Sequence, residues 1–176
     1  MNEIIKKNGI TFGIIGGLIS ILTTVFAYIY DLKLFASLWL LLFFIITYIT
    51  LYIVVLSKTK KQLNNVFTFK EAFTTFFITM TVAVFLSTLF NIILFNVIDT
   101  ELASQVKEIE IESAVSWMKK YNTPNNIIKE KVIDIEKTDK YTFIAQIKGM
   151  VIGILIFSIF GLILAAIFKS KPTYQE

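Results

Sequence analysis

Residues 143–168 read FIAQIKGMVIGILIFSIFGLILAAIF, an almost unbroken apolar run near the end of this 176-residue chain. An α-helix rises about 1.5 Å per residue, so about 20 apolar residues cross the roughly 30 Å hydrocarbon core of a bilayer. Three further runs of this kind occupy residues 10–30, 34–56 and 72–98. The first run is too long for the core of a signal peptide and lacks a cleavage site, so it is expected to remain in place. The chain is predicted to be an all-α integral membrane protein, a four-helix bundle that crosses the bilayer four times.

The composition agrees with this class and argues against several kinds of site. Hydrophobic residues make up 56% of the chain, as is typical of membrane proteins. Cysteine and histidine are absent, which removes thiolate chemistry, the commonest general base and the commonest metal ligand. We therefore expect a single membrane domain over residues 1–176, with no catalytic residues, no metal and no cofactor. No nucleic-acid partner is expected either, because the basic residues lie mostly beside the apolar runs.

The lysines predict the orientation, because short cytoplasmic loops carry an excess of basic residues. Lysines precede the first run, lie between the second and third, and follow the fourth: Lys6, Lys7, Lys58, Lys60, Lys61, Lys70, Lys169 and Lys171. The short loop between the first two runs holds only Lys33. Both termini are therefore predicted to be cytoplasmic, with residues 99–140 extracytoplasmic.

Glycines form stripes on the first and fourth runs. Residues four apart lie on one helix face, where missing side chains let another helix approach closely. The stripes consist of Gly9, Gly13 and Gly17 in the first run and Gly149, Gly153 and Gly161 in the fourth. These are predicted helix-packing positions, either within one chain or between two copies in a homo-oligomer.

The third run carries a polar face inside the predicted membrane. Its members share one side of a helix: Thr74, Thr81, Thr88 and Asn91. One interpretation is that they form hydrogen bonds between helices and stabilise packing. The other is that they line a path for a polar solute. No acid or base lies in the core of any span, although ion and proton pathways usually contain one.

Residues 99–140 predict two amphipathic helices joined at Asn122-Thr123-Pro124, because proline is favoured at the first helical position. Such short helices are not stable alone in water, so their apolar faces must be buried. The apolar residues singled out as a candidate partner surface are Ile109, Trp117, Ile128 and Val132. The segment is either a helical hairpin folded onto the ends of the spans or a docking surface for an envelope protein.

The entrance to the third run, residues 66–73, reads VFTFKEAF. The chain also has a glycine-bearing first helix, a lysine-flanked second span, an acidic helical insert and a last span ending in FKSKP. In these features the chain resembles the family catalogued as domain of unknown function 4199, small membrane proteins of Bacteroidota. Members often carry glycines just before the entry motif, where this chain has Asn64 and Asn65. The resemblance implies a four-helix inner-membrane protein without an assigned activity, and it transfers no catalytic or binding residues.

These observations favour a non-enzymatic scaffold, assembly factor or accessory subunit of the membrane. The alternative is a small oligomeric transporter or channel whose path is lined by the polar face of the third run. A lipid-binding role rests only on the cluster Lys58, Lys60 and Lys61, which the orientation already explains. The expected partners are the lipid bilayer, an envelope membrane protein or a second copy of the chain.

Overall fold

The computed structural model describes residues 2–170, and every regular element in that range is helical. The helices are α1 (Glu3–Tyr30), α2 (Leu38–Gln62), α3 (Phe69–Ile93), α4 (Leu102–Lys120), α5 (Asn125–Lys137) and α6 (Phe143–Phe168). Helices α1, α2, α3 and α6 are long and apolar enough to cross a membrane, which indicates a multi-pass membrane protein. Lys171, one of the lysines used to predict orientation, lies outside the described residues.

The helix ends follow local hydrogen bonding rather than the limits of the apolar runs. α1 begins seven residues before its run, because the Asn2 side chain accepts a hydrogen bond from the Ile4 N–H at 2.9 Å and caps the helix. α2 begins later than predicted, because Leu32–Ala36 forms a 3-10 turn. At the start of α3, Thr68 and Glu71 form a reciprocal capping box.

α3 continues into a π-helical turn at Leu94–Ile98, where the Asp99 N–H donates to the Leu94 carbonyl at 2.9 Å. At the start of α4, the Asp99 side chain accepts a hydrogen bond from the Leu102 N–H at 3.0 Å. α5 starts one residue later than predicted, with Pro124 as the capping residue. Such one-residue differences are normal at helix ends.

α3 is the central span and contacts α1, α2 and α6. The glycine stripe of α1 lies directly on it. A Cβ placed on Gly13 would lie only 2.6 Å from Val82 Cβ, and one on Gly17 only 2.8 Å from Leu86 Cβ. Real Cβ atoms do not approach this closely, so the α1–α3 contact requires glycine. Ser87 Oγ donates to Ser20 Oγ at 3.0 Å across the same interface.

The α6 stripe does not pack against the α1 stripe. Gly161 lies against the Phe76 ring of α3, whereas a Cβ on Gly149 or Gly153 would meet no atom within 4 Å. Among residues 2–170, only the part of the α6 stripe near Gly161 is therefore packed.

One end of the spans holds the start of α1, the α2–α3 loop and the end of α6, and is here called the lysine-rich end. Helices α2, α3 and α6 meet there in a buried cluster: Leu51, Tyr52, Val55, Leu56, Phe67, Ala72, Phe76, Met80 and Ala165. Polar contacts join the helices at the same level. Asn8 Nδ2 donates to Thr59 Oγ1 at 3.0 Å and to Gln62 Oε1 at 2.6 Å.

The opposite end of the spans carries the α4–α5 segment. Leu102 and Val106 of α4 are fully buried against Leu94 and Phe95 of the π-helical turn. α4 also contacts the 3-10 turn and α5. Part of the apolar surface of the segment is thus buried by the chain itself, whereas Trp117, Ile127 and Ile133 are exposed.

Candidate functional site

A cavity of about 640 Å³ opens between α2, α3 and α6, in the half of the spans nearer the α4–α5 segment. Helices α2 and α6 meet near the lysine-rich end, where Lys60 Nζ donates to the Phe168 carbonyl at 3.0 Å. Further along, Phe44 of α2 and Phe157 of α6 both line the cavity. The cavity is therefore the space left where these two helices no longer pack together.

The cavity ends at the buried cluster of the lysine-rich end. Tyr52 of α2 and Met80 of α3 are the lining residues nearest that end, and both belong to the cluster. The Tyr52 ring also packs on the Phe76 ring, with centroids 4.5 Å apart. The buried cluster therefore bounds the cavity at this end.

The α2 side of the cavity is an aromatic wall formed by Phe44, Tyr48 and Tyr52. These residues are four apart and so lie on one helix face. Successive ring centroids are separated by 6.3 and 6.0 Å. The Tyr48 hydroxyl donates to the Gly16 carbonyl at 3.1 Å, so this polar group is satisfied by α1.

The α1 and α3 side is a polar wall formed by Ser20, Thr24, Ser87, Thr88 and Asn91. Ser20 and Ser87 bond to each other. The side chains of Thr24, Thr88 and Asn91 have no hydrogen-bond partner within residues 2–170. An asparagine amide offers two donors and an acceptor, and each hydroxyl offers one donor. This wall therefore presents unused hydrogen-bonding groups to whatever fills the cavity.

The structure separates the four residues of the predicted polar face. Thr88 and Asn91 line the cavity, whereas Thr74 and Thr81 lie outside it. Met80 is the first residue of α3 that lines the cavity, so Thr74 lies at the level of the packed core, and Thr81 does not reach the cavity although it directly follows Met80. The Thr81 hydroxyl is buried without a partner in the described part of the chain.

The rim of the cavity beside the α4–α5 segment is a polar cluster whose one acid and one base form an ion pair. The Glu110 carboxylate lies 2.7 Å from Lys140 Nζ and accepts a hydrogen bond from the Tyr141 hydroxyl at 2.7 Å. Burial, and then the hydrogen bond to Glu110, raises the pKa of the Tyr141 hydroxyl, which keeps it protonated as a donor. The Tyr141 carbonyl accepts from Gln146 Nε2 at 2.7 Å and from Asn96 Nδ2 at 3.1 Å. These bonds join α4 to the start of α6 and to the end of α3.

Sequence reasoning did not identify this rim, because Glu110 and Tyr141 are 31 positions apart and belong to no motif. The aromatic wall was also missed. Its only sequence signal is the spacing of Phe44, Tyr48 and Tyr52, which is common in lipid-facing helices.

A family model described as "Protein of unknown function (DUF4199)" matches residues 11–170. The chain belongs to the DUF4199 family. The matched region contains every residue that lines the cavity of this DUF4199 chain. A comparison with curated proteins and one with solved structures found no match.

In this DUF4199 chain the four residues of the candidate partner surface do not form one exposed patch. Ile128 is only 7% exposed, while Ile109 and Val132 are half-buried. Trp117 alone is exposed, and its ring stacks on Tyr121 with centroids 5.8 Å apart. Part of the apolar surface of α4 and α5 is thus used for packing within the chain.

Proposed function

We propose that this DUF4199 protein is a non-enzymatic, multi-pass protein of the bacterial inner membrane that binds a small molecule in the cavity between α2, α3 and α6. The observation that carries the proposal is the polar wall, where Thr24, Thr88 and Asn91 have no partner in the described chain. Polar groups without partners are unfavourable inside a membrane. A ligand that supplies hydrogen bonds to them is stabilised in the cavity.

The lysine distribution supports an orientation in which both termini are cytoplasmic and the α4–α5 segment is an extracytoplasmic helical hairpin on a four-helix bundle. In that orientation the cavity faces the extracytoplasmic half of the membrane. The buried cluster around Phe76 closes it on the cytoplasmic side. This corresponds to the outward-facing site of a small transporter or receptor, and it favours the solute-binding interpretation over an open channel.

Native mass spectrometry of the full chain, released from lipid nanodiscs, tests this function. We expect a bound molecule that is retained by the natural protein and lost in Thr88→Val and in Asn91→Leu. Thr81→Val is the matched control, because Thr81 is on the same helix one heptad earlier but lies outside the cavity. A molecule retained equally by all three variants, or by none of the proteins including the natural one, would contradict a binding site on this wall.

An accessory subunit is the second candidate, and two observations favour it. Gly149 and Gly153 face open space, and Trp117 is exposed at the end of α4. Both positions offer contact area to another membrane protein or to a second copy of the chain. Photo-crosslinkers at Trp117 and Gly153 test it in cells. A single reproducible foreign protein supports an accessory subunit, whereas crosslinks only within the chain contradict it.

A further inference from the structure

We infer that the ligand of this cavity is a neutral lipid whose head is a carbonyl-bearing ring, as in a quinone, and whose apolar tail leaves between α2 and α6. The inference rests on the proposed function and specifies its ligand class. It draws on the charge of the cavity, on its two unlike walls and on the apolar gap that connects it to the bilayer.

The charge of the lining favours a neutral ligand. Of the residues that line the cavity, only Glu110 and Lys140 are charged, and their charged atoms are 2.7 Å apart. Each neutralises the other, so no free charge remains to pair with a charged headgroup. Burying a charged group without a partner is strongly unfavourable, and this disfavours phosphate- or ammonium-bearing lipids as the group held between the walls.

The two walls favour a planar ring with acceptor atoms at its edge. Phe44, Tyr48 and Tyr52 offer aromatic surface on which a ring can stack. Thr88 and Asn91 on the other side offer a hydroxyl and an amide that can donate to carbonyl oxygens. An acyl chain would fit the aromatic wall but would leave the donors of Thr88 and Asn91 unsatisfied.

The gap between α2 and α6 provides the route for the tail. Leu41 and Ile45 of α2 and Phe157 of α6 line the cavity, and they are also 54%, 45% and 50% exposed. Both α2 and α6 therefore contribute exposed apolar side chains to the cavity, on the side where the two helices separate. The cavity volume of about 640 Å³ lies within the roughly 300–1,000 Å³ of small-molecule sites.

The test is equilibrium binding of decylubiquinone to the full chain in nanodiscs of phosphatidylethanolamine and phosphatidylglycerol, with empty nanodiscs subtracted. Decanol, which has the same length of tail without the ring, is the chemical control. Two pairs of variants separate the cavity from the rest of the protein. Phe44→Leu is matched with Phe43→Leu, because Phe43 is the adjacent ring and lies outside the cavity. Thr88→Val is matched with Thr81→Val.

We expect saturable quinone binding that weakens about tenfold in Phe44→Leu and in Thr88→Val, as loss of a stacking contact or a hydrogen bond predicts. Phe43→Leu and Thr81→Val should bind like the natural chain, and decanol should not compete. Thermal unfolding of each variant shows that it is folded. Valine has nearly the same shape as threonine, so Thr88→Val is expected to fold and can still be measured if Phe44→Leu fails to fold.

Three results would overturn the inference: quinone binding no greater than to empty nanodiscs, equal competition by decanol, or equal effects within each pair of variants. Native mass spectrometry then separates the two proposals. If another molecule is retained and is lost in Thr88→Val, the ring-bearing ligand is wrong while the binding function stands. If nothing is retained, both are wrong.

Discussion

Gly13 is the glycine of α1 with the least space toward α3, because a Cβ there would lie 2.6 Å from Val82 Cβ and 2.9 Å from the Thr79 carbonyl oxygen. The carbonyl belongs to the helix backbone and cannot move aside as a side chain can. We expect Gly13→Leu to lower the free energy of unfolding by at least about 1–3 kcal/mol, the usual effect of overpacking. Thermal unfolding of the detergent-solubilised protein measures it.

Gly153→Leu is the matched control on α6, since a Cβ at Gly153 meets no atom within 4 Å. It should leave the unfolding temperature of the monomer unchanged. If Gly153→Leu lowered the unfolding temperature of the monomer as much as Gly13→Leu does, the two glycine stripes would not differ in packing within the chain. Loss of a dimer without a change in unfolding temperature would show that a second chain packs against the α6 stripe.

Asn64 and Asn65 in the α2–α3 loop have positive φ values of 53° and 62°. Glycine and asparagine adopt this left-handed conformation most readily, which explains asparagine at these two positions. We expect Asn65→Val to lower the free energy of unfolding by about 1–2 kcal/mol and Asn65→Gly to leave it nearly unchanged. Thermal unfolding measures both changes. Equal losses of stability in the two variants would contradict a left-handed backbone conformation at Asn65.

At the scale of elements, α4 is held to the start of α6 by the hydrogen bond from the Tyr141 hydroxyl to Glu110. Tyr141→Phe removes this bond but keeps the ring, which stacks on Phe95 with centroids 4.4 Å apart. A hydrogen bond to a charged group contributes about 1.5–3 kcal/mol. In Tyr141→Phe we expect amide hydrogens of α4 and α5 to exchange faster than in the natural chain, with exchange in α1 and α3 unchanged. Hydrogen–deuterium exchange measures these rates.

Tyr121→Phe is the control for this change, because Tyr121 is an exposed tyrosine at the end of α4. Its hydroxyl has no hydrogen bond to a side chain in residues 2–170. The exchange rates of α4 and α5 should stay the same in this variant. An equal increase in both variants would mean that the Tyr141–Glu110 bond does not hold the segment.

At the scale of the whole molecule, the orientation can be tested because the chain contains no cysteine. Single cysteines at Lys61 and Lys119 occupy exposed positions at the lysine-rich end and in the α4–α5 segment. We expect a membrane-impermeant thiol reagent to label Lys119→Cys in intact cells and to label Lys61→Cys only after the membrane is permeabilised. The reverse pattern would place the cavity on the cytoplasmic side.

Much of the fold could be predicted from the sequence, because the length of an apolar run reports directly on whether a helix can cross a bilayer. The all-helical class follows from this rule, as do the four spans and the bounds 143–168 of α6. Helices α4 and α5 follow from periodicity and from Pro124. The glycine spacing of α1 likewise indicated a packing face, but not that its neighbour is α3.

The cavity and its rim were decided only by the tertiary structure. Thr81 and Thr88 are indistinguishable in the sequence, yet the Thr81 hydroxyl is buried outside the cavity and Thr88 lines the cavity. The Glu110–Tyr141 pair depends on how α4 folds back toward the start of α6. Sequence periodicity determines which side of a helix a residue occupies. What lies opposite that side depends on the distance between neighbouring helices at that level. No local sequence pattern predicts this distance.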